Sequence, residues 1–510
     1  MSCQGQAPLT SGMSQQNSPP NLLNAERMMS PFATLLPSRN PPIMTSSGFS
    51  IVSSQAIPKR KPSLQENLLS YESRNYNFTV NDRFSGPVEF GEAMAMNCLL
   101  RAFDPDKLAE AKAEIIAITE KGLREWREKR SPSQLKSLDT DLDKPLNLDE
   151  EISNFKLMVK RDAKVKLDSS CLEKHPAAQN IMFHRKAINA IFSPCFDEFK
   201  NRVLSSLLPN IKFFTEMTNE KFSQVVKNML GTENVYHVGE IDFSKFDKSQ
   251  DAFIKAYERC LYANFGFDPE LLDVWMEGEY ISRATTLDGQ LSFTVNNQRK
   301  SGASNTWIGN SIVTLGILAL YYKVDKFAAL YVSGDDSLIF SDSPVINHAN
   351  DICVELGFET KFMTPSISYF CSKFLVFTGN GVFFVPDPYK LLVKLGARRE
   401  EVDDKDLFEI FTSFRDLTRD FGDQRVVDEL AKLVERKYDL RSGYTQLAIS
   451  TIHCLRSNFS SFVKLYPKRI GWKVAYGSFV TRNKFLRSRI YSTYTTPFGE
   501  AFFLTSDAGA

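Results

Sequence analysis

Residues 332–338 read Val-Ser-Gly-Asp-Asp-Ser-Leu, "VSGDDSL", between the apolar runs "AALYV" (328–332) and "LIF" (338–340). Two β-rich runs that meet at a Gly-Asp pair predict a tight hairpin with adjacent carboxylates at its tip. Gly334 suits a positive φ there, and close approach of the backbone. Asp and Gly are also ordinary turn residues, so the stretch alone reads more readily as a plain turn. A partner lies about 90 residues upstream, in "VYHVGEIDFSKFDKSQ" (235–250). Val235, His237 and Gly239 alternate with Tyr236, Val238 and Glu240 ahead of Ile241, which predicts a strand ending at Asp242. Asp247 falls on the turn that leaves it.

Carboxylates at a strand end and at a neighbouring hairpin tip suit hard divalent cations. Nucleotidyl transfer uses two such ions about 3.5–4 Å apart. Mg²⁺ is commonly held by one or two carboxylates, with phosphates as its other ligands. Between the two acidic stretches lies "RKSGASNTWIGNSIVTLGILALYY" (299–322). Thr306 and Asn310 are four apart and share a helix face, with Ser301-Gly302 entering the helix. Ile312, Leu315 and Ala319 make its apolar face. Ser301, Thr306 and Asn310, with Asp247, form a polar cluster suited to a sugar hydroxyl. The competing reading is capping by Ser301 or Asn305, with Asn310 merely satisfied.

The rest of the chain sets bounds. With 62 basic against 61 acidic residues in 510, net charge gives no sign of a nucleic-acid partner, so any basic surface is local. The eight cysteines include no C-x-x-C pair and match no zinc spacing; a reducing, cytosolic setting is expected. No apolar run reaches the length of about 18 residues that a spanning helix needs. The N-terminus lacks a signal-peptide pattern. Residues 1–65 hold nine of the 23 prolines and only two aromatics, so they are expected to be disordered or low-complexity. One helix is predicted over 104–129, capped by Asp104 with Pro105 in its first position, then a loop over 131–145. A mixed α/β region is expected over 235–395, and a charged helical one over 399–440.

Three patterns in this order and spacing resemble the RNA-dependent RNA polymerases of positive-strand RNA viruses. They are of the alpha-like (Sindbis-like) kind, most similar to closterovirus and crinivirus polymerases. "DFSKFDKSQ" corresponds to motif A, "SGASNTWIGNS" to motif B and "SGDD" to motif C. "FKLMVKRDAKVKLD" (155–168) resembles motif F, "ELGFETK" (355–361) motif D and "YFCSKFLVF" (369–377) motif E. "PYKLLVKLG" (388–396) is similar to the segment leading into the thumb. Ser333 and Ser311 are small departures from the family pattern.

The resemblance implies an α/β (α+β) chain with a right-handed polymerase fold of fingers, RRM-like palm and helical thumb. Its parts are a low-complexity segment (1–65), fingers and N-terminal region (66–234), palm (235–395, finger insertion about 255–300) and thumb (396–510). Asp242, Asp335 and Asp336 would hold two Mg²⁺ or Mn²⁺ ions. Lys361 would be the general acid, although an exposed lysine is the ordinary reading. Asp247, Ser301, Thr306 and Asn310 would select ribose, and Lys160, Arg161 and Lys164 would hold the triphosphate. Gly302, Lys373, Lys390 and Lys394 would touch RNA. The expected partners are template and nascent RNA, ribonucleoside triphosphates and a viral helicase/capping replication protein. Host-cell cytoplasm is the expected location, in replication complexes membrane-bound through partners only.

Two rivals stand beside this reading. A reverse transcriptase usually carries an aromatic residue near the position of Asp247, and a non-catalytic replication scaffold would not need intact acids. No G-x4-G-K-[ST] loop of a helicase occurs. From 456 to 498 there are nine Lys and Arg and no Asp or Glu, with aromatics interleaved. That stretch, Arg487 and Arg489 included, reads either as an RNA path or as a helical core with a solvated face.

Overall fold

The computed structural model describes residues 63–76, 84–160, 178–233, 235–364, 367–396, 404–440 and 443–466, together with the backbone of Ile43–Met44, Ser50–Ile51, Tyr491–Thr495 and Ala501–Thr505. The segment expected to be low-complexity lies almost wholly outside these residues, as do Arg487 and Arg489.

Period-2 alternation and β-branched residues build a five-stranded sheet. Its strand order is Thr360–Met363, His237–Phe243, Asp336–Ser341, Ala329–Ser333, Ile211–Phe213. The last strand pairs parallel to its neighbour and the other pairings are antiparallel. Behind the sheet runs the Thr306–Tyr321 helix, every residue of which from 308 to 319 is buried. This is the apolar run that is too short to span a bilayer. It packs on helices Pro87–Ala102 and Ala252–Asn264. Among the described residues no helix is long and apolar enough to cross a membrane.

A second, four-stranded sheet draws on two distant segments, in the order Asn180–Phe183, Asn154–Val159, Ile281–Thr286, Ser292–Asn296. The 255–300 region thus contributes helix Pro269–Tyr280 and two strands that join an upstream sheet. A third sheet, Tyr369–Phe370, Lys373–Thr378 and Gly381–Pro386, has two apolar faces. Phe374, Val376 and Val385 face a cluster of C-terminal helices, whereas Leu375, Val382 and Phe384 join the core beneath the five-stranded sheet. Those helices are Asp404–Leu417, Gln424–Tyr438, Tyr444–Ser457 and Phe459–Val463, and the first two agree with the helical, charged pattern over 399–440.

Two local expectations are corrected. The 104–129 helix is two helices, Pro105–Ala113 and Glu120–Glu128. Asp104 caps the first as expected, accepting from the backbone of Asp106 and Lys107. The break occurs because Ile116 bonds along its backbone to Gly266 (2.6 Å) and Asp268 (3.0 Å), and its side chain is buried. Arg202 donates to the carbonyl that the first helix leaves open at Ala111 (2.6 Å). The 131–145 "loop" contains helix Pro132–Leu142. Ser131 and Gln134 form a reciprocal capping box with proline in the first turn, a signal present in "SPSQ".

Candidate active site

The hairpin register assembles the acids. Asp336 pairs with Ser333, so Gly334-Asp335 is a two-residue tip. Gly334 has φ +62°, as a tight hairpin with glycine in its first central position demands. Among the described residues nothing lies within 4 Å of a Cβ built there. The turn conformation, not close approach, is what requires glycine. Across the sheet Ser337 pairs with Ile241, which places Asp336 and Asp242 one step further along, side by side. On the other flank Lys361 pairs directly with Asp242. Cross-strand partners project to one face, so Asp336, Asp242 and Lys361 share a rim. Asp242 and Asp335 are half-buried; Asp336 and Lys361 are exposed.

Electrostatics confirm the crowding. Burial pushes the Asp335 carboxyl up to about 6, and the neighbouring carboxylates of Asp336, Asp247 and Asp242 push the same way. Glu240, two residues before Asp242 on the same face, was not singled out from the sequence. Burial lifts it to about 7; Lys437 and Lys390 oppose the rise, and Asp336 and Asp242 add to it. Among the described residues no group of three or more His, Cys, Asp or Glu converges to hold a metal unaided. The hard oxygens of Asp242, Asp335 and Asp336 nonetheless fit Mg²⁺ or Mn²⁺, with substrate phosphates completing the shell.

A clamp behind the hairpin tip was passed over as conservative variation. Gly334 N–H donates to Ser311 Oγ (2.9 Å), and Thr314 Oγ1 donates to the Gly334 carbonyl (2.9 Å). Trp307 Nε1 donates to Ser333 Oγ (3.2 Å), which donates on to the Phe214 carbonyl (3.0 Å). Ser311 and Thr314 are polar residues three apart on an otherwise apolar helix, and that was the available signal. The motif E turn docks on the front. Cys371 and Ser372 both have positive φ (49° and 62°), and the Cys371 thiol bonds with Ser333 and Asp336.

The sugar-reading set divides. Asn310 Nδ2 donates to Asp247 Oδ1 at 2.9 Å, as the shared cluster requires. Ser301 Oγ instead donates to the Asn180 carbonyl (3.0 Å), and Thr306 Oγ1 to Lys300 and Ala303 carbonyls (both 2.8 Å). Gly302 N–H donates to the Met182 carbonyl (2.8 Å), where a Cβ would sit 2.7 Å from that oxygen. Lys373 is half-buried over the rings of Phe214 and Phe384 (4.7 and 4.8 Å). Lys390 bonds Ser372 Oγ (3.1 Å), and Lys394 is exposed on the same helix. Lys160 is exposed and bonds Gln179 (3.0 Å); Arg161 and Lys164 lie outside the described residues.

Comparison with known proteins places the chain as a whole. A family model described as RNA dependent RNA polymerase matches residues 40–465. Replicase polyprotein 1ab of Beet yellows virus (isolate Ukraine) is 69% identical over 457 residues, 89% of this chain and 15% of that protein. Replicase polyprotein 1ab of Grapevine leafroll-associated virus 3 is 36% identical over 416 residues, 82% of this chain and 15% of that protein. The methyltransferase/helicase/RNA-directed RNA polymerase of Raspberry bushy dwarf virus is 32% identical over 318 residues, 62% of this chain and 19% of that protein. The chain therefore spans about 15% of the length of the first two relatives.

Proposed function

The chain belongs to the RNA-dependent RNA polymerase family, and from that premise we propose that it copies viral RNA by adding ribonucleotides to an RNA 3′-end with release of pyrophosphate. One observation carries the reading: strand register sets Asp242 between Asp336 and Lys361, with Asp335 at the adjoining tip. The five-stranded sheet serves as palm, the four-stranded sheet as part of the fingers and the C-terminal helices as thumb.

Asp242 and Asp335 would hold the divalent cations at the rim, with Asp336 assisting. Two divalent cations, when bound, neutralise the phosphates and lower the pKa of the attacking 3′-hydroxyl. Catalysis then rests on alignment and charge neutralisation rather than on a covalent step. Lys361, across the strand from Asp242, delivers a proton to the departing pyrophosphate. Asp247 and Asn310 read the ribose. Ser301 and Thr306 shape the loop that leads into the helix of Asn310, through bonds to the backbone. Lys160, Arg161 and Lys164 grip the triphosphate, and Lys373, Lys390 and Lys394 border the nascent strand.

The presence of Asp247, rather than an aromatic residue, favours ribonucleotides over the substrates of a reverse transcriptase. Helicase and capping functions reside in partner regions or proteins; the printed name of one relative joins methyltransferase and helicase to the polymerase. Those partners bring the chain to membrane-associated complexes in the host cytoplasm. The test is primer extension on a short RNA hairpin with Mg²⁺, the full chain beside Asp335→Ala. Ribonucleotide-dependent growth by the parent alone is expected. Growth by both proteins would remove the metal assignment, and growth by neither, with RNA bound, would favour a scaffold.

A further inference from the structure

Behind Asp247 lies a fully buried ion cluster that the mechanism above does not use. Lys255, Glu258, Glu279, Arg299 and Lys300 are each at most 1% exposed. Arg299 is its link to the site. Its Nη2 donates to Glu258, and its Nε donates to Asn310 Oδ1 at 3.0 Å. A second donor, Gln250 Nε2, reaches the same oxygen at 2.9 Å. An asparagine amide has two ends of similar shape and opposite polarity. With two N–H groups on Oδ1, a flipped Asn310 would set its NH₂ against two donors and its oxygen against the Asp247 carboxylate. The amide is therefore locked with Nδ2 toward Asp247 Oδ1. Arg299 also holds Asp247 directly, because its own backbone N–H donates to the Asp247 carbonyl at 3.1 Å.

The motif B helix is shaped to accept this arginine. A Cβ on Gly309 would stand 2.8 Å from Arg299 Cζ and Nη1. A glycine inside a helix weakens it, so its presence next to Asn310 has a packing reason: the guanidinium lies flat against the helix backbone.

We infer that Arg299 is a positioning residue for sugar discrimination, fixing both the amide of Asn310 and the backbone of Asp247. The inference rests on the polymerase reading. Lysine in its place keeps a charge for Glu258 but lacks the planar fork that fixes the directions of its bonds to Glu258 and Asn310 together.

The experiment compares parent, Arg299→Lys and Gly309→Ala as full chains. It measures incorporation of ATP against 2′-deoxy-ATP, and equilibrium binding of the same two nucleotides. Thermal melting checks each fold. Loss of a charge-assisted hydrogen bond predicts a fall in ribose preference of about 10- to 100-fold. The fall should come from weaker ATP use, with 2′-deoxy-ATP little changed and affinity for the RNA hairpin unaltered. Gly309→Ala should move the preference in the same direction by displacing the guanidinium. An unchanged preference in a folded Arg299→Lys chain would overturn the inference while leaving the polymerase intact. Should Arg299→Lys fail to fold, a folded Gly309→Ala chain, which displaces the guanidinium while keeping its charge, carries the same test, and an unchanged preference there overturns the inference. A parent that neither extends the primer nor prefers ATP in binding would overturn both readings.

Discussion

Two clusters of charge lie on opposite sides of Asp247, and they are built on opposite principles. Behind it, the cations Lys255 and Arg299 stand against the anions Glu258 and Glu279, all removed from water, and burial pushes the neighbouring Lys300 down to about 7. Burial raises the Glu258 carboxyl, but Arg299 and Lys255 more than offset that and hold it below its usual range. In front, the charges acting most strongly on Asp335 are all carboxylates. The rear cluster balances itself and needs nothing from outside. The front one keeps its carboxylates at an open rim, where Lys361, Lys390 and Lys437 offset them only in part.

The contrast breaks most sharply in synthesis. Asp335→Ala should lose about 4 kcal/mol of transition-state stabilisation, roughly 1000-fold in rate, while circular dichroism stays that of the parent. If the rate held, the front cluster would be as structural as the rear. In stability the order reverses. Glu258→Ala leaves Arg299 and Lys255 facing an empty space and should cost about 3–5 kcal/mol in urea unfolding.

Asp335→Asn should do the opposite in metal-free buffer. The folded chain holds the Asp335 proton more tightly (about 6) than an unfolded chain does (about 3.9), so ionisation weakens the fold. That penalty is absent below about pH 4, grows between about pH 4 and 6 and is complete above. Discounted for partial exposure, Asp335→Asn should gain about 1–3 kcal/mol at pH 7.5 and nothing at pH 3.5. Urea melts in EDTA at the two pH values check it. A loss at pH 7.5 would show that the front cluster is balanced after all. The smallest expected effect is that of Ser311→Ala, which frees one side of the Gly334 turn. It should slow extension about five-fold, near 1 kcal/mol, with nucleotide binding hardly changed.

Much of the front cluster was legible because its signals are local. Alternation placed Asp242 at a strand end, and turn chemistry placed Asp335 at a tip, with no knowledge of what packs behind them. The polar 131–145 stretch misled because composition hid a capping box. The 104–129 periodicity misled because the Ile116 pairing with residues 266–268 is a tertiary fact. Ser311, Ser333 and Arg299 were invisible as participants for the same reason. Their partners are carbonyls, amides and turns 11 to 119 residues away along the chain. Ser301 and Thr306 were read as ligands because hydroxyls at helical spacing look alike whether they face a substrate or the backbone.

The strand order of the central sheet also sets a schedule. His237–Phe243 lies between Asp336–Ser341 and Thr360–Met363, and both neighbours follow it by more than 90 residues. At about 5–20 residues per second of synthesis, this apolar strand waits on the order of five to twenty seconds with neither edge covered. During that interval Asp242 sits on a strand with both edges unpaired. The ribosome's pace between codons 243 and 363 is therefore a condition for making the enzyme, distinct from any condition for running it.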